Sequence, residues 1–383
     1  MTELERKALL PAGLRDVLPP FAAFEAEVIE RLMARFAASG YARIKAPLVE
    51  FEDGLLSGPG AAMTADTFRL MDPISQRMMG VRADITPQIA RIASTRLGAA
   101  PRPLRLGYSG EVLRVKGTQL RPERQFAQVG AELIGAESAA ADAETIVLAV
   151  DALNAISVTD LTVDLTIPPL VPALLDSAAV DDGLRAELRK ALDHKDTAAV
   201  AATGGDAAPI LQKLVAAAGP AERCFAVLED VDLPYAAALE RDRVGEVLRH
   251  LREALPELRI TLDPVENRGF EYHSGVSFTI FPGVGRGELG AGGRYQAVGV
   301  GGNEPATGFT LYLDTILRVL PEPKSPARIY LPVNADRAVA RRLRQEGWVT
   351  ISSLEPVDDD AGEARRLGCG HVWLDGETRP VDG

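Results

Sequence analysis

The chain has 383 residues, 46% apolar and 25% charged, the composition of an ordinary globular protein with a sizeable core and room for two or three domains. A formal charge of -12 and a pI near 5.0 exclude a broad phosphate-neutralising surface. Cys224 and Cys369, far apart and outside any CxxC or Cys/His cluster, exclude a zinc ribbon and a disulfide framework and read as buried small hydrophobes; with no run of about 18 apolar residues, the cytoplasm is the expected location.

From Pro20 to Gly40 the apolar residues Phe24, Val28, Leu32 and Phe36 recur every four positions, the period of an amphipathic helix that Gly40 is placed to stop. The run RIKAPLVEF, residues 43–51, follows as a strand. VRADITPQIARIASTRLG reads as an approach segment and a helix, with Thr86 as N-cap, Pro87 as first residue and Gly98 as exit. Asp84 and Thr86 then sit at the helix's positive end. Residues 104–115 and 125–135 form two strands joined by KGTQLRPE, an antiparallel pair.

Near Ser138 the composition shifts to a stretch rich in Ala, Leu, Asp and Arg, mostly helical in period, with strand-like LTVDLTI at 161–167 and a helix-rich insertion over about 170–262. The strand signal returns in NRGFEYHSGVSFTIF, residues 267–281, whose alternation gives a half-buried strand with Tyr272, Val276, Phe278 and Ile280 on one side and Glu271, His273, Ser277 and Thr279 on the other. GVGRGELGAGGRY contains a formal GxGxxG, but no helix start follows it, so it reads as loop geometry or close backbone approach to a ligand. TGFTLYLDTILRVL is a strand running into a helix, and PEPKSP at 321–326 a linker. Beyond it RIYLPV, ADRAVARRLRQEG and HVWLDG give strand, helix and strand, a small α/β appendage over 327–383. Antiparallel strands with helices gathered between them make the fold class α+β, with a main domain over 1–320.

Three segments place mixed charge on otherwise apolar elements: Asp84 with Thr86; Arg114 through Gln128 and Glu132; and Arg268 with Tyr272 and His273. Buried polar groups of both signs must be paired, so these either satisfy one another or surround a zwitterionic ligand. Carboxylates take an ammonium and arginines a carboxylate, the requirements of an amino-acid pocket. Gln128 and Glu132 share one strand face. His194, His250 and His371 stand in helical or tail segments and read as surface or structural.

Four stretches resemble the core of histidyl-tRNA synthetase, a class II aminoacyl-tRNA synthetase, over roughly residues 10–320. PAGLRDVLPP with the first helix and GYARIKAPLVEF resembles its opening and first motif, which lies at a dimer interface in that family. VRADITP resembles the segment that meets the amino group of histidine; LRVKGTQLRPERQFAQVGAE resembles the second motif; NRGFEYHSG and GELGAGGRY resemble the histidine-specific segment with its glycine loop. The resemblance implies a class II synthetase-like antiparallel sheet with flanking helices, the α-amino group at Asp84 and Thr86, the carboxylate end at Gln128 and Arg114, the imidazole at Glu132 and Tyr272, and Arg268 beside the carboxylate. His273 stands where the synthetase pattern has a second tyrosine.

The departures fall on the ATP side. Lys116 takes the place of an acidic residue that meets adenine, Asp314 and Thr315 replace the Glu-Arg whose arginine grips the phosphates, and Tyr312 replaces a glycine. Losing that guanidinium removes a fixed donor fork from a polyphosphate site. With its shortened tail, the chain resembles the regulatory subunits of ATP phosphoribosyltransferase, which do no chemistry themselves. The resemblance implies a non-catalytic partner of the short-form catalytic subunit in the first step of histidine biosynthesis, feedback by L-histidine, and a homodimer within a hetero-octamer. It implies no cofactor, no metal, no tRNA and no membrane. Arg121 and Arg124 then remain for an anion or a partner's acidic surface.

Overall fold

The computed structural model describes residues 8–117, 121–178, 180–266, 273–285, 287–299 and 302–381. Two compact units, Met1–Pro321 and Glu322–Gly383, divide it.

In the first unit, helix α1 (Phe21–Ala38) buries Val28, Leu32, Met33 and Phe36, each worth about 2 kcal/mol once removed from water. It stops where Gly40 takes φ +86° and the N–H of Tyr41 returns to the carbonyl of Phe36 at 3.0 Å. The expected strand 43–51 is instead two short ones in different sheets, β1 (Ala42–Ile44) and β2 (Val49–Phe51). Between them Pro47 has no N–H to give a ladder, and its carbonyl accepts from Gln88. Helix α2 (Glu52–Leu55) and strands β3 (Arg69–Met71) and β4 (Met78–Val81) complete a small three-stranded sheet, β2-β4-β3.

The main sheet follows. After α3 (Thr86–Thr95) come β5 (Leu104–Leu113), β6 (Gln125–Ile134), α4 (Ala139–Ala155) and β7 (Leu161–Thr166). Six helices, α5 (Leu170–Ser177), α6 (Asp182–Asp193), α7 (Thr197–Thr203), α8 (Ala208–Ala217), α9 (Ala221–Glu229) and α10 (Tyr235–Ala254), lead to β9 (Arg259–Asp263), with the short β8 (Gly219–Pro220) between α8 and α9. Strands β10 (His273–Pro282), β11 (Gly290–Gly299) and β12 (Gly302–Tyr312) and helix α11 (Leu313–Val319) close the unit. Among the described residues the sheet is nine-stranded, ordered β1-β5-β6-β12-β11-β10-β7-β9-β8; β5 to β7 across the middle are antiparallel throughout.

Alternation along β6 explains why the sheet has two unlike faces. Ala127, Val129, Ala131 and Leu133 join α1, α4 and the long helices in one large apolar core. Phe126 and Ile134 face the other way, into a smaller cluster with Ile85, Ile89 and Ala93 of α3 and its approach. Between them on that face stand Gln128, Gly130 and Glu132. The helices of 170–254 are continuous with the large core through Leu188, Leu192, Leu211 and Leu214, and β9 extends the same sheet beside β7.

Two expectations change here. β10 is buried on both faces, Val276, Phe278 and Ile280 in the large core and Ser277 against Thr166, whose hydroxyls lie 2.6 Å apart. The run from Gly290 is a strand rather than a loop, because without side chains at Gly290 and Gly292 the β12 backbone can come close. Residues 267–272 lie outside the described residues.

The second unit is a sheet ordered β14-β13-β15-β16 (Val349–Ser352, Arg328–Leu331, His371–Leu374, Glu377–Pro380) with helices α12 (Arg337–Gln345) and α13 (Asp360–Arg366). It is more elaborate than strand, helix and strand. His371 packs edge-on against Trp348, ring centroids 4.7 Å apart. Both cysteines are buried and free, and burial pushes the Cys224 thiol up to about 12.

One ion pair ties α4 to β11. Arg294, 3% exposed, donates from Nε to Asp142 Oδ1 at 2.9 Å and from its other nitrogens to the carbonyls of Ala136 and Ser138. Asp142→Ala strands that guanidinium and is expected to lower unfolding free energy by about 3–5 kcal/mol in urea titrations; a loss below about 1 kcal/mol would show that the carbonyls alone suffice.

Candidate functional site

Helix α3 begins where the chain crosses the open face of β6. Glu50 on β2 clamps the far side of the helix, accepting from Arg91 Nε at 2.8 Å and from Gln88 Nε2 at 2.8 Å. The near side is thereby pressed onto the sheet. Thr86 is the first helical residue, with Ile85 before it, rather than the N-cap. Its hydroxyl turns into the sheet and donates to Glu132 Oε1 at 3.1 Å. Asp84 is 6% exposed and is held by the N–H groups of Ile85 and Thr86 and by the amide of Gln128, whose Oε1 accepts from Ile85 N at 3.1 Å.

Glu132, 1% exposed, is the deepest acid. Besides Thr86, the hydroxyl of Tyr295 donates to its Oε2 at 3.0 Å and that of Tyr108 lies 3.4 Å from Oε1. One cavity is lined by Asp84, Thr86, Gln128, Glu132, His273 and Tyr295, with Thr310 and Tyr312 and the glycines of β11 and β12 among the remaining walls. Its free space is about 30 Å³, room for water.

The other expected residues lie differently. Arg114 stands beside the lining, donating to the carbonyl of Ala83 at 3.3 Å and lying 5.3 Å over the Phe126 ring. Arg268 and Tyr272 fall outside the described residues. Arg121 is turned inward: its guanidinium stacks 3.8 Å over Tyr312 and pairs with the buried Asp314 at 3.2 Å. Arg124 donates to the carbonyls of Arg114 and Ala12. Both guanidiniums make contacts within the chain. Tyr108, Tyr295 and Thr310 were missed by sequence reasoning. Tyr295 sits inside the GELGAGGRY stretch, whereas Tyr108 in LRLGYSGEVL has only the alternation of an ordinary core tyrosine.

Electrostatics make the cavity a place for positive charge. Burial pushes the Glu132 carboxyl up to about 8 against the pull of the Tyr295, Thr86 and Tyr108 hydroxyls, and the Asp84 charge adds to the rise. Burial also raises Asp84, against Arg114 and its hydrogen bonds. Burial holds the His273 imidazole down to about 4, so it is neutral at pH 7. A cation entering this space is met by acceptors already in place, at the cost of releasing protons.

A family profile described as histidyl-tRNA synthetase matches residues 13–316. A protein of Paramagnetospirillum magneticum called ATP phosphoribosyltransferase regulatory subunit is 56% identical over 97% of this chain and 97% of its own. The chain belongs to this family of regulatory subunits. A member from Gluconobacter oxydans is 44% identical over 99% of both chains. Among solved structures, an ATP phosphoribosyltransferase regulatory subunit/histidyl-tRNA synthetase from Bacillus halodurans superposes with TM-score 0.80 at 23% identity, covering 94% of this chain and 96% of that one. Histidyl-tRNA synthetase from Nostoc sp. gives 0.78 at 18%, covering 96% and 91%. Family and fold therefore agree, and the fold is the class II synthetase-like α+β sheet.

Because Glu132 keeps its proton to about pH 8 when folded and loses it near 4.5 when unfolded, the unfolded state gains relative stability as pH rises through that window. Glu132→Gln removes the titration. Its unfolding free energy relative to the unmodified chain is expected to rise between about pH 4.5 and 8 and to level off above. Urea titrations from pH 5 to 9 check this, and a pH-independent difference would place the carboxyl in the ordinary range.

Proposed function

We propose that this chain is the non-catalytic regulatory subunit of ATP phosphoribosyltransferase. It completes the short catalytic subunit in the first step of histidine biosynthesis and carries the L-histidine site through which the assembly is inhibited. The α-amino group meets Asp84 and Thr86, the carboxylate end Gln128, Arg114 and Arg268, and the imidazole Glu132, Tyr272 and His273. The chain acts in the cytoplasm as a homodimer within a hetero-octamer, with neither tRNA nor membrane as partner.

The observation that carries this reading is the contrast between the two ends of the site. Acceptors suited to an amino acid line the cavity, while beside it Arg121 stacks on Tyr312, where a synthetase leaves room for ATP, and pairs with Asp314, the neighbour of Thr315 where a synthetase has its phosphate-gripping arginine. On this reading the chain does not adenylate histidine. Feedback then needs nothing beyond a higher affinity for the inactive than for the active assembly.

Mixing the chain with the short catalytic subunit from the same source and following phosphoribosyl-ATP formation tests the reading. Activity is expected to depend on this chain and to fall with added histidine, and Asp84→Ala is expected to keep the activation while raising the half-inhibitory histidine concentration about tenfold or more. A catalytic subunit equally active alone, or histidine-dependent exchange of pyrophosphate into ATP by this chain, would overturn it.

A further inference from the structure

Beneath the cavity the sheet register builds a second layer. Tyr108 on β5, Gly130 on β6 and Thr310 on β12 stand in one row across three strands, and Glu132 and Gly308 stand opposite each other in the next. Gly130 makes the first row work. A methyl group there would overlap the Tyr108 hydroxyl, and without one that hydroxyl crosses over the glycine to reach Thr310 Oγ1 at 2.7 Å. Gly308 does the same in the second row, since a methyl group would overlap the Glu132 carboxyl. The Tyr108 hydroxyl thus ends 3.3 Å from Thr86 Oγ1 and 3.4 Å from Glu132 Oε1, while Tyr108 itself is absent from the cavity wall.

A tyrosine hydroxyl buried at 1% exposure needs one partner, which Thr310 supplies. Its approach to Glu132 and Thr86 is beyond that need. We propose that Tyr108 is a positioning residue for the ligand pocket: anchored by Thr310 across Gly130, it fixes with Thr86 the Oε1 side of Glu132, so that the Oε2 side, with Tyr295, is presented to the ligand.

This rests on Glu132 being a ligand contact, as read above, and adds a residue that acts through it. Among the described residues, the other groups near Glu132 include Asp84 and Thr86 at the start of α3, Tyr295 on β11, His273 on β10 in the same cavity lining and, farther off, Tyr41. Asp84 raises the carboxyl's proton affinity and the three hydroxyls lower it. Removing the Tyr108 hydroxyl therefore shifts its titration upward.

Tyr108→Phe keeps the ring and removes only the oxygen. Titration calorimetry with L-histidine between pH 6 and 9.5 is expected to show affinity about tenfold weaker at pH 7, the loss of one hydrogen bond to a carboxylate, with the pH dependence displaced upward. Thr310→Val, which frees the tyrosine from its anchor, is expected to move both in the same direction. In the ligand-free protein, the infrared carbonyl stretch of the protonated carboxyl, assigned by its loss in Glu132→Gln, is expected to persist to higher pH in Tyr108→Phe. An unchanged infrared midpoint in Tyr108→Phe overturns the proposal, whether or not histidine binds. If the unmodified chain fails to bind histidine while the midpoint moves, the ligand reading falls and the positioning of Glu132 stands.

Discussion

A carboxyl group buried in the middle of a β-sheet is the constraint around which this protein is arranged. Glu132 is shut off from bulk solvent, and hydroxyls come to it instead. Tyr108 and Tyr295 arrive from strands on opposite sides of β6, and Thr86 arrives from above, which requires α3 to start at that point and no other. Each approach needs space in a close-packed sheet, and Gly130 and Gly308 provide it in the two adjacent rows. A side chain at either glycine would move the carboxyl or its partners.

The opposite face of the same strands explains how the fold tolerates this. Ala127, Val129, Ala131 and Leu133 bind β6 into the large apolar core with α1 and α4, so the strand's place does not rely on the polar face. The period of two along the strand separates the tasks: one set of side chains fixes the backbone, the other is left to chemistry. His273 shares this arrangement, on a strand whose alternate residues Val276, Phe278 and Ile280 are held in the large core.

Much of this was legible in the sequence where a rule is local. The four-residue period of α1, the pairing of 104–115 with 125–135 and the α+β class all follow from spacing, and Asp84, Thr86, Gln128, Glu132 and His273 do line one cavity. What escaped depends on register across three or more strands. Tyr108 meets Thr310 only because both are opposite Gly130, a relation between residues 202 apart. Thr86 satisfies every local requirement for a cap, yet a buried acid 46 residues away takes its hydroxyl. The glycine run reads as a loop until the neighbouring β12 backbone is seen, and the break in 43–51 reads as a strand until its two halves find different sheets.

The stack of Arg121 on Tyr312, with its ion pair to Asp314, makes these three side chains depend on one another. Substituting Arg121 alone leaves Asp314, 6% exposed, with Arg318 at 3.8 Å as its ion-pair partner among the described residues, and Thr315→Arg alone would place a guanidinium at a position that is now 3% exposed. Opening the space at Tyr312 alone removes the surface on which Arg121 lies. Arg121, Tyr312 and Asp314 thus hold one another in place, and a change at any one of them removes a contact from a neighbour. The three behave as one coupled unit, in which substitutions act non-additively.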